Sequence, residues 1–291
     1  MTTHAEPGMV VDLPARSAVA GADIGPPRLP LDIATRPSRV PTFVRRCVGP
    51  LLLLVVWELA TRHGIINRTI LAPPSTVPGT AWDLWSDGSL PRNLLASVRR
   101  AMTGLAIGTT LGVVAATVAG LWRFGEDTID TTLQLLRPMP ALALMPLLVM
   151  WFGLGETPKL VIIAYATFFP VYLNVFQGYR NVDMKLVESA AAFGLDRKRL
   201  VASVLLPSAA SSFFVGFRFS LSVSWLVLVF TEQLNARDGL GYLMIQAQLY
   251  FRNQIIVLVL VIYAVLGLVS DQVVKAIERK VLSWRRTYQG S

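Results

Sequence analysis

Cysteine occurs once in this chain of 291 residues, at Cys47, and histidine twice, at His4 and His63. A single cysteine excludes an intrachain disulfide and a thiolate metal cluster, and two distant histidines outside every apolar block offer no metal site. Charge is scarce as well: Asp, Glu, Lys and Arg make up 15% of residues, against about 25% in soluble domains. No Gly-x-x-x-x-Gly-Lys-Ser/Thr phosphate loop occurs, so nucleotide binding of that kind belongs to another chain if it occurs at all. The first 41 residues lack the short apolar stretch of a secretory signal and are rich in proline, from Pro7 to Pro41, which predicts a disordered arm. Arg45 and Arg46 precede an apolar run as in a twin-arginine signal. No small-residue cleavage site follows, so the pair reads as the positive flank of a membrane span.

Apolar residues make up 53% of the sequence, gathered into blocks near the ~20 residues that cross a bilayer as a helix. Six spans are predicted, over 44–60, 102–122, a third ending at 152, 160–179, 213–234 and 255–274. The fold class expected is all-α and polytopic. In the second span Gly104, Gly108, Gly112, Ala116 and Gly120 recur at four-residue spacing, which puts a small-residue face on one side of a helix where another backbone can approach. An amphipathic stretch groups Asp127, Asp130, Gln134 and Arg137 on one side, and the third span then carries Pro138, Pro140 and Pro146. Carbonyls freed by proline at membrane depth need protein or a water-lined cavity to satisfy them.

The net charge of +9 would suggest nucleic acid in a soluble protein. Here the cations fall in loops and set topology, and no nucleic-acid partner is expected. With both termini inside, 17 Lys and Arg lie on the cytoplasmic side and 8 outside, Arg99 and Arg100 among the latter, with Arg137 and Arg218 in or beside spans. The organisation read from this is a cytoplasmic arm over 1–41, a first span and outer loop over 42–92, a membrane core over 93–284 and a basic tail over 285–291. The 180–212 loop of the core then faces the cytoplasm.

That loop carries the most specific pattern. Glu188 is followed two positions on by Ala190, and six on by Gly194; Leu206 and Pro207 close the pattern thirteen residues after the glycine. Ala190 to Ala192 favour helix, Gly194 suits a left-handed stop, and Asp196 can cap a second short helix that Pro207 follows. Glu188 is expected to cap or pair locally. Helix, tight turn, helix makes a rigid knob.

This spacing resembles the "EAA" loop of ABC-importer permeases, with Ser189 in place of the usual first alanine. The resemblance extends over most of 71–284. The stretches Leu133–Pro138 running on to Trp151–Gly153, Phe168–Asn174 and Gly239–Tyr242 are similar to the nitrate, sulfonate and taurine branch, and most of all to aliphatic sulfonate permeases. It implies the transmembrane-domain fold of type I ABC importers and a non-catalytic subunit of the bacterial inner membrane. The partners implied are a second copy of the chain, two cytoplasmic ATPase subunits that bind ATP and magnesium, and an extracytoplasmic substrate-binding protein. The loop residues Glu188, Ala190, Gly194, Leu206 and Pro207 would couple to the ATPase, and no cofactor is expected in this chain. Sulfonate, nitrate, taurine, bicarbonate and small pyrimidine permeases share these motifs, so the substrate stays open.

Ionisable and amide groups within spans are costly and raise functional readings. Arg137, Asn174 and Arg218 are the candidates for a substrate route. Arg218, near an inner span end, also suits snorkelling toward headgroups, and Asn174 and Gln177 also suit interhelical hydrogen bonding. Glu232 is expected in helix packing or an ion pair, and Glu58 and Asp271 at the interface. No nucleophile–base pair or metal-ligand set falls inside the spans, which leaves an intramembrane enzyme without support. A stand-alone secondary transporter would show an inverted repeat, and none is detectable.

Overall fold

The computed structural model describes residues 42–67 and 71–283. The arm expected over 1–41 and the tail over 285–291 lie outside the described residues. The chain divides into two compact units, Met1–Pro50 and Leu51–Ser291. Of the first, only the opening turns of helix α1, Thr42–Arg62, are described; the rest of α1 and every later helix belong to the second.

Among the described residues there is no β-strand. After α1 come α2 (Val77–Ser86), α3 (Ser89–Leu121), α4 (Arg123–Leu136), α5 (Ala141–Phe152) and α6 (Glu156–Arg180). The chain continues through α7 (Met184–Ala192), α8 (Lys198–Leu234), α9 (Leu240–Leu249) and α10 (Asn253–Val281). Helices α3, α6, α8 and α10 are each long and apolar enough to cross a membrane, and α4 with α5 forms a fifth candidate bent by 85°. The sixth expected span rests on α1, of 21 residues. Its charges crowd the ends, and Leu51 to Val56 between them are 42% to 62% exposed.

The third expected span is therefore not one helix. It breaks over 137–140, where Pro138 and Pro140 cannot donate to the helix ladder. The carbonyl of Leu136, whose ordinary helical donor would be the missing N–H of Pro140, accepts instead from Met139 N at 3.1 Å and from the Tyr165 hydroxyl of α6 at 2.8 Å. Protein groups thus satisfy the carbonyl that Pro140 frees, as backbone at membrane depth requires.

Helix α6 is the centre of the bundle, packed between α3 and α8. Half of its apolar window is buried, against 22% for that of α10 at the periphery. The small-residue face of α3 makes this possible. A side chain at Gly112 would lie 2.9 Å from the Phe168 carbonyl oxygen, and one at Gly120 would lie 2.8 Å from the Tyr179 ring. Gly108 faces Thr167 and the Ala164 backbone even more closely. On the other side of α6, a side chain at Gly216 of α8 would meet the Pro170 carbonyl at 2.7 Å and Asn174 at 2.9 Å. The Ser220 hydroxyl of α8 donates to the Thr167 carbonyl at 2.6 Å. The glycine ladder therefore seats α3 on a helix of its own chain. Outward, the bundle presents apolar side chains such as Leu111, Val215, Leu226 and Leu268, as a protein solvated by lipid does.

Two boundaries differ from expectation for one reason. The second span starts at Ser89 rather than 102, and the fourth at Glu156 rather than 160. The added turns hold Asn93, Ser97, Arg100 and Lys159, all buried. These residues lower local hydropathy and read as loop, yet each has its partner inside the protein. Trp82 and Trp85, expected at an interface, lie exposed on α2. Glu58 accepts from Ser75 N at 3.0 Å and Ser75 Oγ at 2.8 Å, closing the segment between α1 and α2.

Candidate functional site

The 180–212 loop folds locally as its residues dictate. The Asp183 carboxylate accepts from Lys185 N at 2.9 Å and caps α7. At the other end Leu195 N donates to the Ala190 carbonyl at 3.1 Å, and Gly194 adopts φ +74°. That six-to-one bond around a left-handed glycine is a Schellman stop. The Asp196 carboxylate then accepts from Arg199 N at 3.1 Å and opens the next helix. Ala190 is buried, and Leu206 is exposed. Glu188 is exposed and makes no hydrogen bond or ion pair among the described residues, so it neither caps nor pairs locally.

The second short helix is not separate. From Lys198 the chain runs 37 residues to Leu234 as α8. Val201–Leu205 form a stretch of wider π turns just before Pro207, so the proline enters at the start of a new α-helical register. The turn at Gly194 is thus joined directly to a span.

A second candidate lies at the break between α4 and α5. Arg137 and Asn174 line one cavity of about 490 Å³, with Pro140, Phe169, Phe219 and Val223 among its other walls. Asn174 Nδ2 also donates to the Pro170 carbonyl at 2.8 Å. Arg218 is placed elsewhere: its guanidinium is 3.1 Å from Asp271 and 3.9 Å from Glu278, tying α8 to α10. Gln177 and Ser222 are exposed, while Ser220 and Ser224 are fully buried between helices.

A third cluster has almost no signature in the sequence. Arg100, expected as an outer loop cation, is 6% exposed within α3, and Glu232 of α8 is 0% exposed. All five guanidinium N–H groups of Arg100 have acceptors. Nε and Nη2 reach Glu156 at 2.5 and 2.9 Å, Nη1 reaches Glu232 at 2.9 Å and the Asp238 carbonyl at 2.7 Å, and Nη2 also meets the Asp238 carboxylate. Three successive amides at the start of α9 complete the cluster. Gly239 N donates to Asn93 Oδ1 at 2.7 Å, Leu240 N to Ser97 Oγ at 2.7 Å, and Gly241 N to Glu232 Oε2 at 2.9 Å. These are the orphan donors of a helix start, satisfied here by side chains of α3 and α8. Gly239 has φ +115° and lies against the Glu232 carboxylate, so only glycine fits there. A buried charge with a full set of partners pins α3, α6, α8 and α9 together. The sequence offered Glu232 inside an apolar run, where helix packing or an ion pair was expected and an ion pair is found, and the Gly239–Tyr242 stretch that closes on it.

Comparison with known proteins agrees with this architecture. Residues 108–283 match the model of the family described as "Binding-protein-dependent transport system inner membrane component". A protein of Escherichia coli (strain K12) named as an aliphatic sulfonates transport permease is 38% identical over 239 residues, 82% of this chain and 91% of that protein. A Bacillus subtilis (strain 168) protein of the same name is 35% identical over 241 residues, 83% of this chain and 87% of that one. Among solved structures, an amino acid ABC transporter crystallised with histidines shares the fold, with TM-score 0.56 at 18% identity, covering 69% of this chain and 97% of that one. With six-tenths of its length matching the family model, this chain belongs to the binding-protein-dependent transport system inner membrane components, the membrane-embedded, non-catalytic permeases of ABC transporters.

Proposed function

We propose that this chain forms the translocation route of an ATP-driven importer for aliphatic sulfonates, driven through the 188–207 turn by a separate ATPase subunit. The observation that carries the proposal is mechanical continuity. The turn closed by Gly194 and Asp196 opens a helix that runs unbroken from Lys198 to Leu234. A push on a floppy loop is lost in local rearrangement, whereas a push on a capped helix end moves the span. Exposed Glu188 and Leu206 are then free for the partner, while Ala190, Gly194 and Pro207 keep the knob in shape.

The substrate class is supported by the names of the two relatives and by Arg137 beside the proline break. A monoanionic sulfonate needs a cation and amide or hydroxyl donors in a cavity that excludes bulk water, and Arg137 with Asn174 supplies both. Arg218, neutralised by two carboxylates, serves as a clamp between α8 and α10. An extracytoplasmic binding protein would deliver the anion, and two copies of the chain would enclose the route with two ATPase subunits beneath.

In proteoliposomes holding the complete transporter, ATP-dependent ethanesulfonate uptake is expected. Arg137→Ala should cut it roughly tenfold, the loss of a single charge-assisted contact of about 1.4 kcal/mol, while ATPase assembly survives. Uptake of nitrate or a pyrimidine in preference to ethanesulfonate would overturn the substrate class, and an unchanged rate in Arg137→Ala would return that residue to a structural role.

The proposed topology counts α1 as the first span, places both termini in the cytoplasm and locates the chain in the inner membrane. In a Cys47→Ser background, Ser86→Cys should react with an impermeant thiol reagent from outside and Ser189→Cys only from inside. The reverse pattern would invert the topology.

A further inference from the structure

The Arg100 cluster borders a cavity of about 730 Å³, within the range of small-molecule sites. Four cations line it, Arg99, Arg100, Lys159 and Arg237, against two carboxylates, Glu156 and Asp238. Both carboxylates are already engaged by Arg100, and Glu156 also accepts from Lys159 Nζ at 2.8 Å. Arg100 has no donor left to give. Lys159 differs: it is 2% exposed yet lines the cavity, and Glu156 is the one acceptor of its three N–H groups among the described residues. Arg99 and Arg237 are exposed and make no ion pair among the described residues. The first turn of α6, whose Gly155 makes no side-chain cap, opens on the same space. That end of the helix dipole adds a partial positive charge. A cavity with spent carboxylates and three cations holding unused donors is built for an anion.

We infer that this cavity is a first binding site for a small organic oxyanion, held by Lys159, Arg99 and Arg237, with Arg100 as the fixed scaffold behind it. The inference rests on the proposed importer reading for its direction. It lies at the start of α6, and Asn174 of the Arg137 cavity lies roughly 22 Å beyond Lys159 along that helix at 1.5 Å per residue. The two cavities would therefore be taken in sequence by one ligand. The outer one needs no selectivity beyond charge and size, because Arg99 and Arg237 reach solvent.

The test uses the full chain in nanodiscs and ethanesulfonate as the probe, with binding read by titration calorimetry or ligand-observed NMR. Saturable binding is expected, weakened about tenfold or more in the Arg99→Gln/Arg237→Gln double variant and restored when both positions are lysine. Both arginines are exposed, so the double variant should fold; each single variant, expected to lose part of the affinity, serves if it does not. Wild-type affinity in the double variant, or absence of binding in the wild type, would overturn the site. The importer reading fails separately. A chain that binds ethanesulfonate here, yet does not transport it under ATP, refutes the sulfonate importer and keeps the site. Unaltered transport KM in the double variant removes the site and keeps the importer.

Discussion

Replacing Arg100 by leucine is expected to cost about 3–5 kcal/mol of stability, the usual consequence of removing one partner from a buried pair. The reason is what stays behind. Glu232 has no exposed surface, and with Arg100 gone its remaining donors are Ser97 Oγ and Gly241 N. Glu156 would keep Lys159, and both it and Asp238 reach solvent, so the penalty concentrates on Glu232. Arg100→Lys should not rescue fully, since an ammonium cannot span Glu156, Glu232 and Asp238 in the fork geometry the guanidinium uses. Removing the stranded charge as well, in Arg100→Leu/Glu232→Leu, should recover a large part of the loss, which makes the two substitutions strongly non-additive. Thermal unfolding of detergent-solubilised protein, followed by size-exclusion chromatography, checks this. Losses in the two single variants that simply add in the double variant would show that the pair does not act as a unit.

That cluster also marks where sequence reading ends. The apolar blocks, the small-residue face from Gly104 to Gly120 and the Gly194 stop were all legible, because each follows from a local rule: span length, helical period, or the freedom of glycine to take positive φ. The Asp196 cap was legible for the same reason. The cluster depends instead on what lies across space. Arg100 and Lys159 look like loop cations until Glu156, Glu232 and Asp238 are brought against them over 56 to 138 residues of sequence in the case of Arg100. Hydropathy therefore cut α3 and α6 short by the turns that hold these groups. The break between α4 and α5 was half legible: the prolines announced freed carbonyls, but neither the 85° bend nor the Tyr165 hydroxyl that closes on Leu136 has a local signature. Pro207 misled in the opposite direction, suggesting an end where the π turns of Val201–Leu205 let the helix continue.

If ATP-driven motion passes through the Gly194 turn, Gly194→Val should interrupt it. Nothing crowds a side chain at this position, so the substitution acts through backbone conformation alone. Holding valine at φ +74° costs roughly 1–2 kcal/mol, enough to unseat the Schellman stop and free α7 from the helix that becomes α8. Bilayer insertion should be unaffected, since Gly194 lies outside every span. The measurement is the ratio of ethanesulfonate taken up to ATP hydrolysed, in proteoliposomes holding the complete transporter. Gly194→Val is expected either to lose its ATPase subunit or to retain it with that ratio lowered roughly tenfold or more. A variant that inserts normally, keeps its ATPase partner and transports at the wild-type ratio would contradict it.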